Sequence, residues 1–374
     1  LRDTTPLDDG SVSITPKVGV TEAQAIALAW AKSEYGGAAE EYSSSQGVRM
    51  LLEPDVVGET GGLALVWKFT IFRAAQPIVK EVVFINAHTG ALAFHYPLIH
   101  DARIRKIYDA RNDYTYNPNG PIYIVAGELV RSEGEDASGI KDVDLAYEYF
   151  GDVYDFYNRV HGRDSIDGAG MAIVGTVRYC NPYVGGCPWS NAMWVGTDSA
   201  APTYGIEANH MYFGDGYASA DDVCAHELTH GVTQSESNLV YAYESGAINE
   251  SFSDMWGEWI DMTNGSTNDT AATRWLMGED LPDGAIRSMK NPPQFENPDR
   301  IGSPYYYKGS SDNGGVHTNS GVANKLCYLL TDGDTFNGYT IAGMGIEKAA
   351  KLFYELQTNL LTSASDFNDM YNAL

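Results

Sequence analysis

The sequence predicts an α+β protein in three parts: a small α+β unit over residues 1–100, a β-rich lobe over 101–220 and a mainly helical lobe over 221–374. Three observations carry this expectation. Before residue 100, one helical pattern is followed by β-prone apolar runs. Short strands then surround a single long helical repeat. Beyond residue 220 the chain reads as mainly helical to its end. At 374 residues the chain is long enough for two or three domains and a sizeable core.

In chain order, Thr21-Glu22-Ala23-Gln24 reads as a capping box opening an amphipathic helix through about Glu34. Leu63 to Arg73 and Lys80 to Ile85 read as strands. Asn86-Ala87-His88-Thr89-Gly90 then turns the chain into another, Ala91 to Tyr96. His88, His95 and His100 have no metal-ligand spacing and read as surface or packing residues. A junction is expected within Pro97 to Ala102. The long helix, Val143 to Val160, carries Tyr147, Phe150, Tyr154 and Tyr157 at helical spacing, as a core-facing row would. The final helical pattern runs uncapped to Leu374, the expectation being a natural chain that continues.

Composition narrows the function. Fifty acidic against 24 basic residues give a formal charge of −26, which argues against nucleic acid or an anionic membrane surface as partner. Apolar runs are too short and interrupted for a membrane span. Most carboxylates serve solubility, and a few are available to bind a cation. Four cysteines allow three full pairings. Cys180 and Cys187 flank a turn-rich segment and are expected to bridge. Cys224 and Cys327 either pair or stand as buried small hydrophobes. No export signal is visible and the chain starts at Leu1 without a methionine, so an export signal is expected either to have been removed or to lie outside the given sequence; the cysteines point to an exported protein in an oxidising compartment.

The chemistry concentrates in His226-Glu227-Leu228-Thr229-His230 and in Glu250 beyond it. Residues four apart on a helix lie one turn up the same face, so His226 and His230 can present two imidazole nitrogens to one metal ion. Glu250 is the natural third ligand, leaving a fourth position open, as in a catalytic rather than a structural zinc site. Glu227 lies beside the ligands, placed to take a proton from water without being a ligand. Asp254, one turn beyond Glu250, can accept the other ring N–H of His226, and Asn249 that of His230. His317 is the best donor for a developing oxyanion, with Asp312, five residues earlier across a Gly-Gly turn, holding its ring. Two surface histidines on a helix would mimic the first motif, but not the carboxylates that follow it.

Together, HELTH, Gly246-Ala247-Ile248-Asn249-Glu250-Ser251-Phe252-Ser253-Asp254 and Asp312-Asn313-Gly314-Gly315-Val316-His317-Thr318-Asn319-Ser320-Gly321 resemble the thermolysin family of neutral metalloendopeptidases. The resemblance runs from about Leu129 to the C-terminus. It implies a two-lobed catalytic domain with the zinc helix between a β-rich and an α-helical lobe. It also implies that residues 1–100 are part of an inhibitory, folding-assisting propeptide, cut off by self-cleavage near His100. An unrelated accessory domain is the alternative for that unit.

Further roles rest on the resemblance alone. It implies Tyr241 as a second oxyanion donor, and Asn191-Ala192-Met193-Trp194 as an edge strand pairing with extended peptide, with Asn191 and Ala192 touching substrate. Met193 stands where phenylalanine is common. Arg287 would hold a substrate carbonyl, a structural salt bridge being the plainer alternative and compatible with that role. Val223, Met277 and Ile286 would line an apolar pocket for a large apolar residue after the scissile bond, with modest discrimination among such residues. Asp222, Asp261, Glu279 and Asp280 match acidic positions of a structural calcium site. Arg274 and Leu276 stand where a two-calcium site would need carboxylates, so one calcium is expected beside one zinc. The implied partners are peptide or protein substrates and the chain's own propeptide. The rivals are a non-catalytic binding module, which has no need of Glu227, Tyr241, Asp312 and His317 together, and an aminopeptidase, for which no amine-anchoring motif is present.

Overall fold

The computed structural model describes residues 13–53, 63–73, 79–97, 103–115, 123–124, 127–181, 186–197, 206–266 and 270–374. The chain divides into two compact units, Leu1–Asp101 and Ala102–Leu374. The expected cleavage point beside His100 lies outside the described residues.

The first unit is one helix, α1 (Val20–Tyr35), on an antiparallel sheet of β1 (Tyr42–Ser44), β2 (Val48–Leu52), β3 (Ala64–Arg73), β4 (Val79–Asn86) and β5 (Leu92–Pro97). Ala23, Ala27 and Ala31 form the buried stripe of α1. Small side chains four apart let the helix approach Phe69, Ile71, Val83 and Ile85 closely. Leu52, Val66, Val82 and Phe84 bury the opposite face of the sheet, which is why β4 reads as a continuous apolar run. The expected capping box does not form. The helix starts at Val20 behind Gly19 with no side-chain cap. The Ala87 carbonyl accepts both the Lys17 and Val18 N–H groups, and Trp67 Nε1 donates to the Val18 carbonyl. These bonds fix the entry point upstream of Thr21, and Gln24 instead donates to Ser44 Oγ. His95 is more than a packing residue: its Nδ1 lies 2.8 Å from the buried carboxylate of Glu81.

The second unit opens with β6 (Arg105–Asp109), β7 (Tyr114–Thr115), β8 (Tyr123–Ile124), β9 (Glu128–Ser132) and α2 (Lys141–His161). β10 (Ile173–Val177), β11 (Ala192–Val195) and β12 (His210–Phe213) complete a mixed sheet of order β11-β12-β10-β6-β9. Its three inner strands are parallel, and both edge strands run antiparallel to them. The aromatic row of α2 is core, as its spacing predicts. Tyr157 stacks on Trp256 at 5.7 Å with nearly parallel rings, tying the β-rich lobe to the helical one. Cys180 and Cys187 form the expected bridge, whereas Cys224 and Cys327 are free, buried thiols.

The helical lobe holds α3 (Asp221–Ser235), α4 (Tyr243–Asp261), β13 (Leu276–Met277), β14 (Arg287–Ser288), α5 (Asp312–Asn319) and α6 (Gly321–Thr331). β15 (Gly333–Phe336), β16 (Tyr339–Ala342), α7 (Ile346–Glu355) and α8 (Phe367–Ala373) follow. Every residue of α4 from Gly246 to Asp261 is buried. A helix buried all round is ordinarily apolar, yet this one encloses Asn249, Glu250, Asp254, Glu258 and Asp261. Such groups need partners in the interior, and those partners define the site.

Candidate metal centre and catalytic cleft

α3 and α4 pack together and present three side chains to one point. His226 Nε2 and His230 Nε2 are 3.0 Å apart. Glu250 Oε2 lies 3.6 Å from the first, and Glu250 Oε1 lies 3.4 Å from the second. Ligand atoms of a tetrahedral zinc with bonds of about 2.0–2.1 Å lie ~3.3 Å from one another, so the set fits the ion. Among the described residues this is the one such group of histidine, cysteine and acidic side chains. Glu250 is fully buried, and among the described residues its Oε2 has no hydrogen-bond partner, as expected of an oxygen meant for a cation.

The outer nitrogens are held as well. Asn249 Oδ1 can only accept, so at 2.8 Å from His230 Nδ1 it requires that nitrogen to carry the proton. The Asn249 amide donates in turn to the Leu239 carbonyl, which fixes its orientation. The neutral His230 ring then has its Nε2 lone pair toward the centre. Asp254 Oδ1 lies 2.9 Å from His226 Nδ1 and does the same for the first histidine. Burial alone would push Glu250 up and His230 down. His317, His230 and His226 hold Glu250 well below the usual carboxylate range, and Glu250, Glu227 and Asn249 raise His230 to about 9. Both shifts say that the pocket favours positive charge beside Glu250.

Asp254 is the hub behind this centre. Besides His226, it accepts from Arg287 Nε at 2.8 Å, Arg287 Nη2 at 2.6 Å and Asn324 Nδ2 at 2.7 Å. Against the rise that burial alone would give, Arg287 and His226 hold its carboxyl at about 2. Arg287 therefore forms the ion pair that is the bland reading of a buried arginine, while still lining the cleft.

The cleft encloses about 760 Å³. Glu227 is buried and lines it together with His226, His230 and Glu250. Across from them, His317 Nε2 lies 3.2 Å from the Tyr241 hydroxyl, which also donates to Glu250 Oε1. Burial, then Glu250, pushes the Tyr241 phenol far above its ordinary value, so it remains a donor. Asp312 receives both the His317 ring at Nδ1, 2.7 Å away, and the His317 backbone N–H at 3.0 Å. Asn191, Ala192, Val223, Met277 and Ile286 all line the same cleft. Among the described residues β11 pairs on one side only, with β12, and forms the sheet edge. At Gly231 a Cβ would meet Ile166 at 2.7 Å and the Trp194 ring at 2.9 Å. Glycine there lets β11 sit against α3, one residue past His230.

A second acidic cluster lies at the start of α3. Asp222 accepts from the Val223 and Gly278 N–H groups. Burial first, then the Glu279 charge, raises it well above the usual range. Glu258, which the sequence reading did not single out, is raised by burial, Asp222 and Glu279. Its Oε2 accepts from the Trp275 N–H, and its Oε1 is buried with no partner among the described residues. The signal was present: Glu250, Asp254 and Glu258 fall at i, i+4 and i+8 on one helix face. Arg274 takes no part in the cluster and pairs with Asp332.

Comparison with known proteins agrees with this geometry. The family profile described as thermolysin metallopeptidase, catalytic domain, matches residues 84–234, and that described as thermolysin metallopeptidase, alpha-helical domain, matches 237–374. A zinc metalloproteinase of Renibacterium salmoninarum is 42% identical over 264 residues, covering 64% of this chain and 45% of that protein. A bacillolysin of Bacillus cereus is 36% identical over 273 residues, covering 70% and 43%. The chain thus spans less than half the length of these curated relatives. The solved precursor of protealysin, a metalloproteinase from Serratia proteamaculans, matches with a TM-score of 0.55 and 32% identity over 72% of this chain and 79% of that one. With the two profiles reaching together from residue 84 to residue 374, and a solved relative sharing the fold, the chain belongs to the thermolysin family of metallopeptidases.

Proposed function

We propose that the chain is a zinc-dependent endopeptidase, exported and made as a self-processing zymogen. The observation that carries this reading is the convergence of His226, His230 and Glu250 beside Glu227 in one cleft, with Glu250 Oε2 buried and unpartnered. Zinc held by those three residues supplies Lewis acidity toward a peptide carbonyl and acidifies water. Glu227 accepts the proton of the attacking water and delivers it to the leaving amine. His317 and Tyr241 donate to the developing oxyanion, with Asp312 holding the imidazole. The open edge of β11 adds the substrate backbone as a further strand, and Asn191 and Ala192 contact it. Arg287, anchored on Asp254, turns toward a substrate carbonyl. Val223, Met277 and Ile286 receive a large apolar side chain after the scissile bond.

The first unit acts in this reading as the inhibitory propeptide. Intact mass followed over time in the purified chain, beside a Glu227→Gln variant, tests it. A cut near residue 100 in the wild type alone is expected. Equal cutting of both chains, or of neither, removes self-processing.

One calcium, held among Asp222, Asp261, Glu279 and Asp280 with Glu258 as a fifth carboxylate, belongs to the same proposal. Asp222 and Glu258 titrate higher in the folded chain than unfolded. The folded state therefore binds more protons, and their contribution turns unfavourable as pH rises from the ordinary carboxylate range. Calcium replaces those protons. Its stabilising effect in urea unfolding is expected to be larger at pH 8 than at pH 5; a calcium effect absent at both would remove the site.

A further inference from the structure

The two oxyanion donors come from separate parts of the chain, Tyr241 from the segment before α4 and His317 from α5, yet their polar atoms must meet one oxygen. What holds them together is not explained by either residue alone. α5 opens on four consecutive left-handed residues, with φ of 52° at Asp312, 50° at Asn313, 92° at Gly314 and 80° at Gly315. This turn swings the Asp312 carboxylate back onto His317. Only a backbone held from outside keeps such a run.

Two tyrosines hold it. A Cβ added at Gly315 would lie 2.5 Å from Tyr307 Cδ1, and one added at Gly314 would lie 2.4 Å from Tyr243 Cδ1. Each glycine thus has an aromatic ring against the face where a side chain would stand. Tyr307 is locked by its own bonds: Asn319 Oδ1 accepts its N–H, Asn319 Nδ2 donates to its carbonyl, and its hydroxyl accepts from the Ser311 N–H. Tyr243 differs. It begins α4 two residues after Tyr241 and is itself left-handed, φ 51°, though bulky. It is also 61% exposed, so burial of the side chain does not explain why a strained position carries a large ring. A bulky left-handed residue points to a constraint that the surroundings impose. The Ala242 N–H donates to the Val240 carbonyl, closing a tight turn on Tyr241, with Ala242 alone between it and Tyr243.

We propose that Tyr243 is a positioning residue: its ring, seated on Gly314, sets the separation between the Tyr241 hydroxyl and His317 Nε2. This rests on the peptidase reading for its catalytic consequence, but the positional link stands on the contacts themselves. Tyr243→Asn keeps a side chain that tolerates the left-handed backbone and removes the ring. Tyr243→Phe keeps the ring.

The test uses the full chain, zinc-loaded and with its first unit removed after folding, with labelled histidine rings, the His317 signals being assigned from a His317→Ala variant. Tyr243→Asn is expected to shift the His317 ring signals, and Tyr243→Phe to leave them in place. In peptide hydrolysis, Tyr243→Asn is expected to lower kcat about tenfold with KM within about twofold, because a misplaced donor weakens transition-state binding alone. In a His317→Ala background the same change is expected to have no further effect on kcat. Unmoved His317 signals in Tyr243→Asn overturn the proposal whatever the activity. An undiminished kcat, or an equal loss without His317, overturns its catalytic consequence. Shifted signals in a chain that hydrolyses nothing uphold the link and fail the peptidase reading instead.

Discussion

Replacing Glu227 by glutamine is expected to lower kcat/KM for peptide hydrolysis by roughly 10²–10⁴-fold while zinc and fold are retained. The side chain is buried in the cleft between the two histidine-bearing turns of α3. Glutamine keeps its size and removes its ability to take a proton. None of the three proposed metal-binding side chains is changed, since Glu227 lies outside the converging set of His226, His230 and Glu250. Zinc content by mass spectrometry, beside hydrolysis of an end-blocked peptide by both chains freed of their first unit, separates loss of chemistry from loss of metal. A glutamine variant with one zinc and wild-type rate would take the proton-transfer role away from this residue.

Asp254→Ala is expected to do the greatest structural harm of any single change at the site. The substitution strands the guanidinium of Arg287 and the Nδ1–H of His226 in the interior and leaves Asn324 Nδ2 without an acceptor. Leaving one partner of a buried pair uncompensated costs about 3–5 kcal/mol. Loss of the carboxylate behind a ligating histidine weakens metal binding by roughly 10–100-fold. Urea unfolding and competitive zinc titration measure the two effects separately. Unchanged stability would mean that Arg287 finds another acceptor or reaches water. Unchanged zinc affinity would mean that His226 is oriented by packing alone.

How much of this was legible in the sequence follows from the range of the interactions. His226, His230, Glu250, Asn249 and Asp254 were readable because each relation lies within a helix or between two helices with clear periods, and helical geometry turns such spacing directly into a shared face. The aromatic row of α2 was readable for the same reason. The capping box at Thr21 failed because bonds to Ala87 and from Trp67, far along the chain, set where α1 begins. Glu258 was passed over although it continues the acidic face of α4, since its neighbours Asp222 and Glu279 come from other segments. Arg287 suggested substrate, and nothing local indicated that Asp254 takes both ends of its guanidinium. Tyr243 carried no signal at all among 25 tyrosines. Its left-handed backbone and its contact with Gly314 exist only in three dimensions. The order of the mixed sheet was likewise invisible, because strand pairing across the lobe depends on which runs meet rather than on any one run.

The most direct test of the central claim is hydrolysis of an end-blocked, internally quenched peptide by the chelator-stripped chain, freed of its first unit, as zinc is added back. No cleavage is expected without metal, full activity at one equivalent of zinc, and none in the Glu227→Gln variant at the same zinc content. Cleavage that persists after chelation, or an intact peptide beside a chain that has bound its zinc, would contradict it.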